Sequence, residues 1–525
     1  MGFWNARQKM GAAAAILAGG ILFSRLMGLV RDKVISYYFG ATFESDVYFA
    51  AFVIPDFINY LLAGGYFSIT LIPLLAERFE RDEADGWRLF SAVFTWVVLA
   101  ALAVTGAAML AAPSLARLAG PGFPPEALAR LTAFLRIILP AQVFFLAGSI
   151  LTAILYLRRQ FVIPALIPLV YNGAIILVGL LGIRRGMDGF CWGVLAGSLL
   201  GNFLLPLSAA MAGGGVRLAP RLTHPGLKPF WLLALPLMLG QSVVVLDEQF
   251  LRLFGSLAGE GAVSWLNYAR RLLFVPVGVV AQAAGVASYP FLAGLAAAGE
   301  HERFDRTMKS TLTGMAVFML PMAVWLILAA EPAVRLIFAQ GRFGPADVAA
   351  TALALRIMLL SAFFWGLQQV VGRSFYAVKD TLTPTIVGSL ATLASLPLYW
   401  AGARSLGTAG VALASVASVT AYALAVSWLW RRRRGGGGFA GLGLEAGRAL
   451  LVSGLAALPA AAVQYFLGAV LPESLGGVLV LLLASGLTFA AVCLALAPRF
   501  APELAARVRE RLPGCLKRTK ARSQA

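Results

Sequence analysis

The stretch "ILFSRLMGLVRDKVI", residues 21–35, decides how this chain is read. It is apolar enough to enter a bilayer, yet it carries Arg25, Arg31, Asp32 and Lys33. A charge near mid-bilayer costs about 2.5–3.5 kcal/mol on insertion scales, so it persists where a partner or a water-filled cavity receives it. Arg25 and Asp32 stand seven residues apart, two helical turns, and so share one face of the helix. Arg31 lies beside Asp32. The segment reads as a membrane helix that turns charge toward a protein interior.

The rest of the sequence agrees with a membrane setting. Of the 525 residues 60% are hydrophobic and 13% charged, against about 25% charged in soluble domains. Apolar windows recur from end to end, and strands of alternating polarity do not, so the expected class is an all-α polytopic membrane protein. Fourteen spans are expected: 12–36, 45–75, 89–112, 131–157, 162–183, 188–211, 229–255, 262–293, 311–330, 348–377, 383–403, 408–430, 448–470 and 475–497. The first apolar segment runs straight into charged sequence, as a retained span does, unlike a cleaved signal. Cys191, Cys493 and Cys515 have neither metal nor disulfide spacing. The net charge of +19 sits in short loops and in the tail "RVRERLPGCLKRTKAR". With the N-terminus inside, Arg78, Arg81, Arg88, Arg158, Arg159, Arg217, Arg221, Arg303, Arg306, Lys309 and Arg431 to Arg434 all face the cytoplasm. Both termini are therefore expected there. This distribution argues for topology and against nucleic-acid binding.

"RRRRGGGG" at 431–438 reads as a basic stop and a flexible spacer. It sets a final pair of spans apart from a core of twelve, and the core repeats itself. "YLRRQFVIP" (156–164) and "YAVKDTLTP" (376–384) align at an offset of 220, and "IPLLAE" (72–77) and "YPFLAG" (289–294) at 217. Two six-helix lobes related by a pseudo-two-fold follow, an arrangement of transporters that rock around a substrate. The expected divisions are an N-lobe at 1–215, a C-lobe at 216–434, a helix pair at 435–498 and a basic cytoplasmic tail at 499–525.

Further charges lie inside apolar segments: Asp46 at the start of span 2, Asp247, Glu248 and Arg252 in span 7, Arg270 and Arg271 in span 8, and Arg356 and Arg373 in span 10. Arg252, Arg356 and Arg373 read as arginines that snorkel to the interface or neutralise nearby acids. Arg25, Arg31, Arg270 and Arg271, drawn from both halves, read as the wall of a cationic cavity. Guanidinium forks match phosphate oxygens, so the expected substrate is anionic and bears phosphate. Asp32 and Asp46 either pair structurally with these arginines or act as counter-ions that replace departed substrate. His224 and His301 fall in cytoplasmic loops and are expected to be solvated. There is no Walker loop, metal-ligand cluster or nucleophile motif, so neither an enzyme nor a cofactor is expected.

"SRLMGLVRD" (24–32), "FGATFESDVYFAAFVIPDF" (39–57), "FSITLIPLLAE" (67–77), "GAVSWLNYARRLLFVPVGV" (261–279) and "RSFYAVKDTLTP" (373–384) closely resemble the MurJ (MviN) family. Those proteins are bacterial flippases of lipid II, the undecaprenyl-pyrophosphate-linked peptidoglycan precursor, within the superfamily that also holds multidrug exporters. The resemblance implies a central cationic cavity, a lipid-tail groove at spans 13–14, and alternating access in the bacterial inner membrane. The expected partners are lipid-linked substrate and membrane lipids, with the protein a monomer. Functional arginines of the family fall on Arg25, Arg31 and Arg271, and its acid at the start of span 2 on Asp46. Arg270 stands where the family has an acid. Asn59 and Tyr60 replace an Arg-Arg pair, and Gly64 replaces a Glu. Asp247 matches one acid of a family sodium site, but span 11 supplies no second, so sodium coupling is not expected. Without a nucleotide site, energy would come from membrane potential or an ion gradient. A flippase for another polyprenyl-linked glycan, such as an O-antigen or capsule unit, is the alternative.

Overall fold

The computed structural model describes residues 10–62, 66–212, 219–241 and 246–502. Every regular element among them is helical. The contacts divide the chain into two compact units, one of residues 1–264 with 341–343, the other of 265–340 with 344–525.

The first unit opens with α1 (Met10–Phe39), α2 (Phe43–Ala50), α3 (Val53–Leu62) and α4 (Tyr66–Arg81). It continues through α5 (Glu83–Leu110), α6 (Ala112–Ala119), α7 (Pro125–Ile138), α8 (Ala141–Leu157) and α9 (Val162–Leu181). It ends with α10 (Asp188–Gly197), α11 (Leu205–Ala212), α12 (Leu227–Gln241) and α13 (Leu246–Gly255), a π-helical stretch at Ser198–Leu204 joining α10 to α11. Leu71, Leu75, Phe90, Ile150, Ile154 and Phe230 form the core where α4, α5, α8 and α12 meet.

The second unit holds most of α14 (Ala262–Pro276), then α15 (Ala283–Ala297), α16 (His301–Leu328), α17 (Ala330–Phe338) and α18 (Pro345–Leu359). After these come α19 (Ala362–Ala377), α20 (Leu382–Arg434), α21 (Leu442–Val470) and α22 (Leu475–Phe500). Ala456, Ala460 and Ala497 are fully buried where α16, α21 and α22 pack. In lipid, where apolar side chains gain little by leaving one another, such small residues hold helices together by letting backbones approach.

The internal repeat is written in the backbone. Helices α8 and α19 end 220 residues apart, and α9 and α20 begin 220 apart. Between them, Arg159 and Lys379 are the two non-glycine residues with positive φ among the described residues, at 59° and 63°. Each closes its helix in the same way. The amide of Gln160 donates to Leu155 O and that of Arg159 to Tyr156 O; Asp380 donates to Phe375 O and Lys379 to Tyr376 O. This is the Schellman closure, usually made by glycine. Helices α5 and α16 are both 28 residues long at an offset of 218. Pro73 in α4 and Pro290 in α15 lie inside their helices 217 apart.

A third correspondence sits at the next turns. A Cβ on Gly182 would stand 2.9 Å from Gly189 Cα, and one on Gly402 would stand 2.6 Å from Gly410 O. The two glycine contacts let successive arms pack against each other in each half. In the second half the helix assignment runs unbroken through the reversal, with only Gly407 (φ 57°) leaving helical geometry.

Nine helices among the described residues are long and apolar enough to span a membrane, and α18 with α19 makes a tenth as a pair bent by 43°. The expected count of fourteen is not established by that set. One of the nine, Leu382–Arg434, contains both expected spans 11 and 12. Expected spans 1, 2 and 7 are not among them; span 2 is divided over α2, α3 and α4, and span 7 over α12 and α13. His301 is exposed, as expected. His224 is not solvated: its side chain is 5% exposed, with Nε2 3.2 Å from Asp85 Oδ1. The Gly226 amide donates to its Nδ1, which leaves Nε2 to carry the proton. Cys191 and Cys493 are buried and unbridged; Cys515 lies outside the described residues.

Left-handed backbone costs a residue with a Cβ about 1–2 kcal/mol. Arg159→Gly and Lys379→Gly should each therefore raise the thermal midpoint by about 2 °C, whereas Gly402→Val should lower it. Thermal unfolding in detergent measures all three.

Candidate functional site

The charges of α1 separate by environment. Arg31 and Asp32 are buried, whereas Arg25 is exposed. Arg31 turns back on its neighbour: Nε and Nη2 both donate to Asp32 Oδ1, at 3.0 and 2.8 Å. Its Nη1 donates to Asn172 Oδ1 on α9 at 3.3 Å, and Asn172 is itself held by a bond from Nδ2 to Pro168 O. An apolar surrounding makes such a pair mutually dependent. Removing one partner leaves an uncompensated buried charge, at a cost of about 3–5 kcal/mol.

Asp46 does not bind the arginines of α1. Its Oδ2 accepts the Gly261 amide at 2.6 Å, and Oδ1 accepts both the amide and the hydroxyl of Ser264, at 2.8 and 2.6 Å. These donors belong to the first turn of α14, whose leading amides have no partner within the helix. A carboxylate placed there satisfies them and meets the positive end of the helix dipole. Asp46 is 1% exposed, and these three bonds satisfy its carboxyl oxygens.

Arg252 on α13 gathers a second buried cluster. Nη1 donates to Asp56 Oδ2 at 2.7 Å and to Gln249 Oε1 at 3.2 Å, while Nη2 donates to Glu248 Oε1 at 2.6 Å. Arg252 thus neutralises acids, one of the two roles expected of it. Asp247 is buried on the same helix. In α3, Asn59 Nδ2 donates to Gln142 Oε1 at 3.3 Å. Gly64 lies outside the described residues. Within α7, Arg130 binds Glu44 on α2 and Asp188 on α10.

In the second unit Arg270 is half-buried, its guanidinium 4.8 Å from the ring centre of Phe274 and 5.5 Å from that of Trp365. Aromatic faces stabilise a cation through their quadrupole while leaving its N–H groups directed elsewhere. Arg271, the next residue, is exposed. Directly after Pro276 the helix widens into a π-helical stretch, Val277–Gln282, a distortion often found at functional sites. Arg356 reaches the Ile327 carbonyl and Glu331. Arg373 is half-buried, and among the described residues its Nη1 is buried without a hydrogen-bond partner.

The structure therefore joins Arg31 to Asp32, and gives Asp46 and Arg252 partners that sequence reading missed. Asp56 was visible as an acid in "VIPDF" and Asn172 as a lone amide in "PLVYNGAII". Nothing in the spacing tied either to an arginine more than a hundred residues away.

A model of the family described as "Lipid II flippase MurJ" matches residues 35–485. A probable lipid II flippase MurJ of Rhizobium meliloti is 29% identical over 432 residues, 79% of this chain and 80% of that protein. The lipid II flippase MurJ of Burkholderia cenocepacia is 28% identical over 384 residues, covering 71% and 74%. A solved lipid II flippase MurJ in an inward closed conformation superposes with a TM-score of 0.76 at 23% identity, over 92% of this chain and 99% of that one. An inward-facing multidrug transporter of the MATE family gives 0.67 at 16% identity, over 82% and 99%. At these identities the two superpositions establish a shared fold.

Two outcomes follow from the buried partners. Arg31→Ala alone should deplete folded protein in the membrane, and adding Asp32→Asn should restore its level; immunoblots of membrane fractions test this. Asp46→Ala and Ser264→Ala should be non-additive in a thermal double-mutant cycle, with a coupling of about 1–3 kcal/mol. Additive effects would mean that the bonds contribute independently.

Proposed function

We infer the activity from one premise: this chain belongs to the MurJ family of lipid II flippases. It is a multi-pass protein of the bacterial inner membrane and carries lipid II from the inner to the outer leaflet by alternating access. The observation that supports this most directly is the family match across residues 35–485.

In our reading both termini are cytoplasmic, the chain acts as a monomer, and it catalyses no covalent chemistry. Arg25, Arg31, Arg270 and Arg271 receive the pyrophosphate and sugar head group, while the polyprenyl tail stays in lipid along α21 and α22. The resting partners suggest how each arginine works. Asp32 holds the Arg31 guanidinium until phosphate oxygens compete for the same fork. Phe274 and Trp365 lie beside the Arg270 guanidinium, and phosphate oxygens would join them there. Asp46 fastens the start of α14 and is released when the outer side opens. Asp247 is retained as a candidate ion ligand, though α20 offers no acid for a two-acid sodium site. The drive is membrane potential, worth about 2.3 kcal/mol per charge per 100 mV, or an ion gradient.

The experiment is complementation in a bacterium depleted of its own lipid II flippase, at matched membrane levels. The wild type should rescue growth; Arg25→Ala, Arg271→Ala and the Arg31→Ala/Asp32→Asn pair should not. A well-expressed wild type that fails would redirect the assignment to another polyprenyl-linked glycan. Rescue by all three variants would remove the arginines from the mechanism.

A further inference from the structure

Arg373 is a guanidinium prepared for a ligand that the described residues do not supply. It lies on α19, four residues before the expected end of span 10 at 377, so about 6 Å inside the cytoplasmic end of the helix. A snorkelling arginine this close to the interface would extend toward water. Arg373 lies sideways against α15 instead. A Cβ on Gly285 would stand 2.7 Å from its Nη1 and 3.2 Å from its Cζ, so a larger residue there would push the guanidinium out of its present place. The Ser288 hydroxyl, one turn on, donates to the Gly285 carbonyl. Nη1 is buried and makes no hydrogen bond.

Sequence removes the ordinary remedy. The expected spans of the second unit (262–293, 311–330, 348–377, 383–403, 408–430, 448–470 and 475–497) contain no Asp or Glu. The nearest acid along the chain, Asp380, is bonded to Arg433 and to Thr383. A buried donor on a charged group, left unbonded, costs more than a neutral one. A purely structural arginine at this position would lower stability for nothing.

We propose that Arg373, seated in the Gly285 cradle, binds a phosphate oxygen of a lipid head group arriving from the inner leaflet, and that this lipid is the pyrophosphate-bearing carrier. The second half of the proposal rests on the flippase reading above. A depth of one helical turn is where the phosphate of a carrier still anchored by its tail would first meet the protein. Arg373 would therefore make an initial contact, before the head group moves deeper.

The test uses the full-length protein in nanodiscs of neutral phosphatidylcholine, titrated in parallel with undecaprenyl pyrophosphate, lipid II and phosphatidylglycerol. Arg373→Gln should weaken binding of both carrier lipids at least about tenfold. Arg373→Lys should fall between, because it keeps the charge and loses the fork. Gly285→Ala should mimic the loss with Arg373 still present. The thermal midpoint without ligand should stay level or rise in Arg373→Gln, since an unbonded buried donor has been removed. A lowered midpoint with unchanged carrier binding would make Arg373 a structural residue and overturn the proposal. If only the response to phosphatidylglycerol is lost, the anion site stands and its assignment to the carrier falls. A wild type that binds neither carrier would instead count against the flippase reading, while phosphatidylglycerol binding lost in Arg373→Gln would still locate the phosphate site.

Discussion

A guanidinium within a bilayer must be neutralised, stacked, hydrated or occupied by a ligand, because the apolar surround offers it nothing else. Much of this structure can be understood as the set of answers given to that constraint. Arg31 is neutralised by the adjacent Asp32 and steadied by Asn172. Arg252 is neutralised from two helices at once, by Asp56 and Glu248. Arg270 lies beside the paired rings of Phe274 and Trp365. Arg373 has a cradle but no counter-charge. The converse case is Asp46, a buried carboxylate satisfied by helix amides instead of a cation. Each answer leaves a different fraction of the charge available to something that arrives later.

The scaffold carrying these groups was built twice, and the copies kept what geometry makes hard to change. Residues 159 and 379 both hold left-handed backbone although neither is glycine. The turn they close needs that conformation to satisfy the last carbonyls of α8 and α19, and so the shape is kept with little shared sequence beyond Tyr156 and Tyr376, a basic side chain, and Pro164 and Pro384. The Gly182–Gly189 and Gly402–Gly410 contacts persist for the opposite reason, since a single Cβ would push the arms apart. Where geometry is permissive the copies have diverged: span 2 is divided into three short helices, while its counterpart in the second half runs into a π-helical stretch followed by α15.

How much of this was legible in the sequence follows from the range of each interaction. The charges of "SRLMGLVRD" announced themselves by being out of place, and the Arg31–Asp32 pair is made between neighbours. The basic turns at 158–159 and 379 exposed the repeat because a turn is a local object. The partners of Asp46, and the Asp56 partner of Arg252, are more than 190 residues away, and no pattern along the chain encodes such a distance. His224 was misjudged for the same reason. A loop histidine looks solvated until Asp85, 139 residues earlier, is folded against it. Family resemblance supplied the roles that local chemistry could not, and it is silent where this chain departs, at Asn59, Tyr60 and Arg270.

The two halves finally differ in a way their common origin does not explain. The expected spans of the first unit contain Asp32, Asp46, Asp56, Asp188, Asp247 and Glu248; those of the second contain Arg270, Arg271, Arg356, Arg373 and Arg448 with no acid at all. Acids within the spans can therefore pair with the first unit's arginines, as Asp32 pairs with Arg31. The second unit has no acid within its expected spans; Arg356 and Arg448 reach Glu331 and Glu445 just outside them, and Arg270 lies near aromatic rings. The duplicated fold thus keeps acids beside arginines within the spans of its first unit, and in its second places them at helix ends, as Glu331 stands to Arg356 and Glu445 to Arg448.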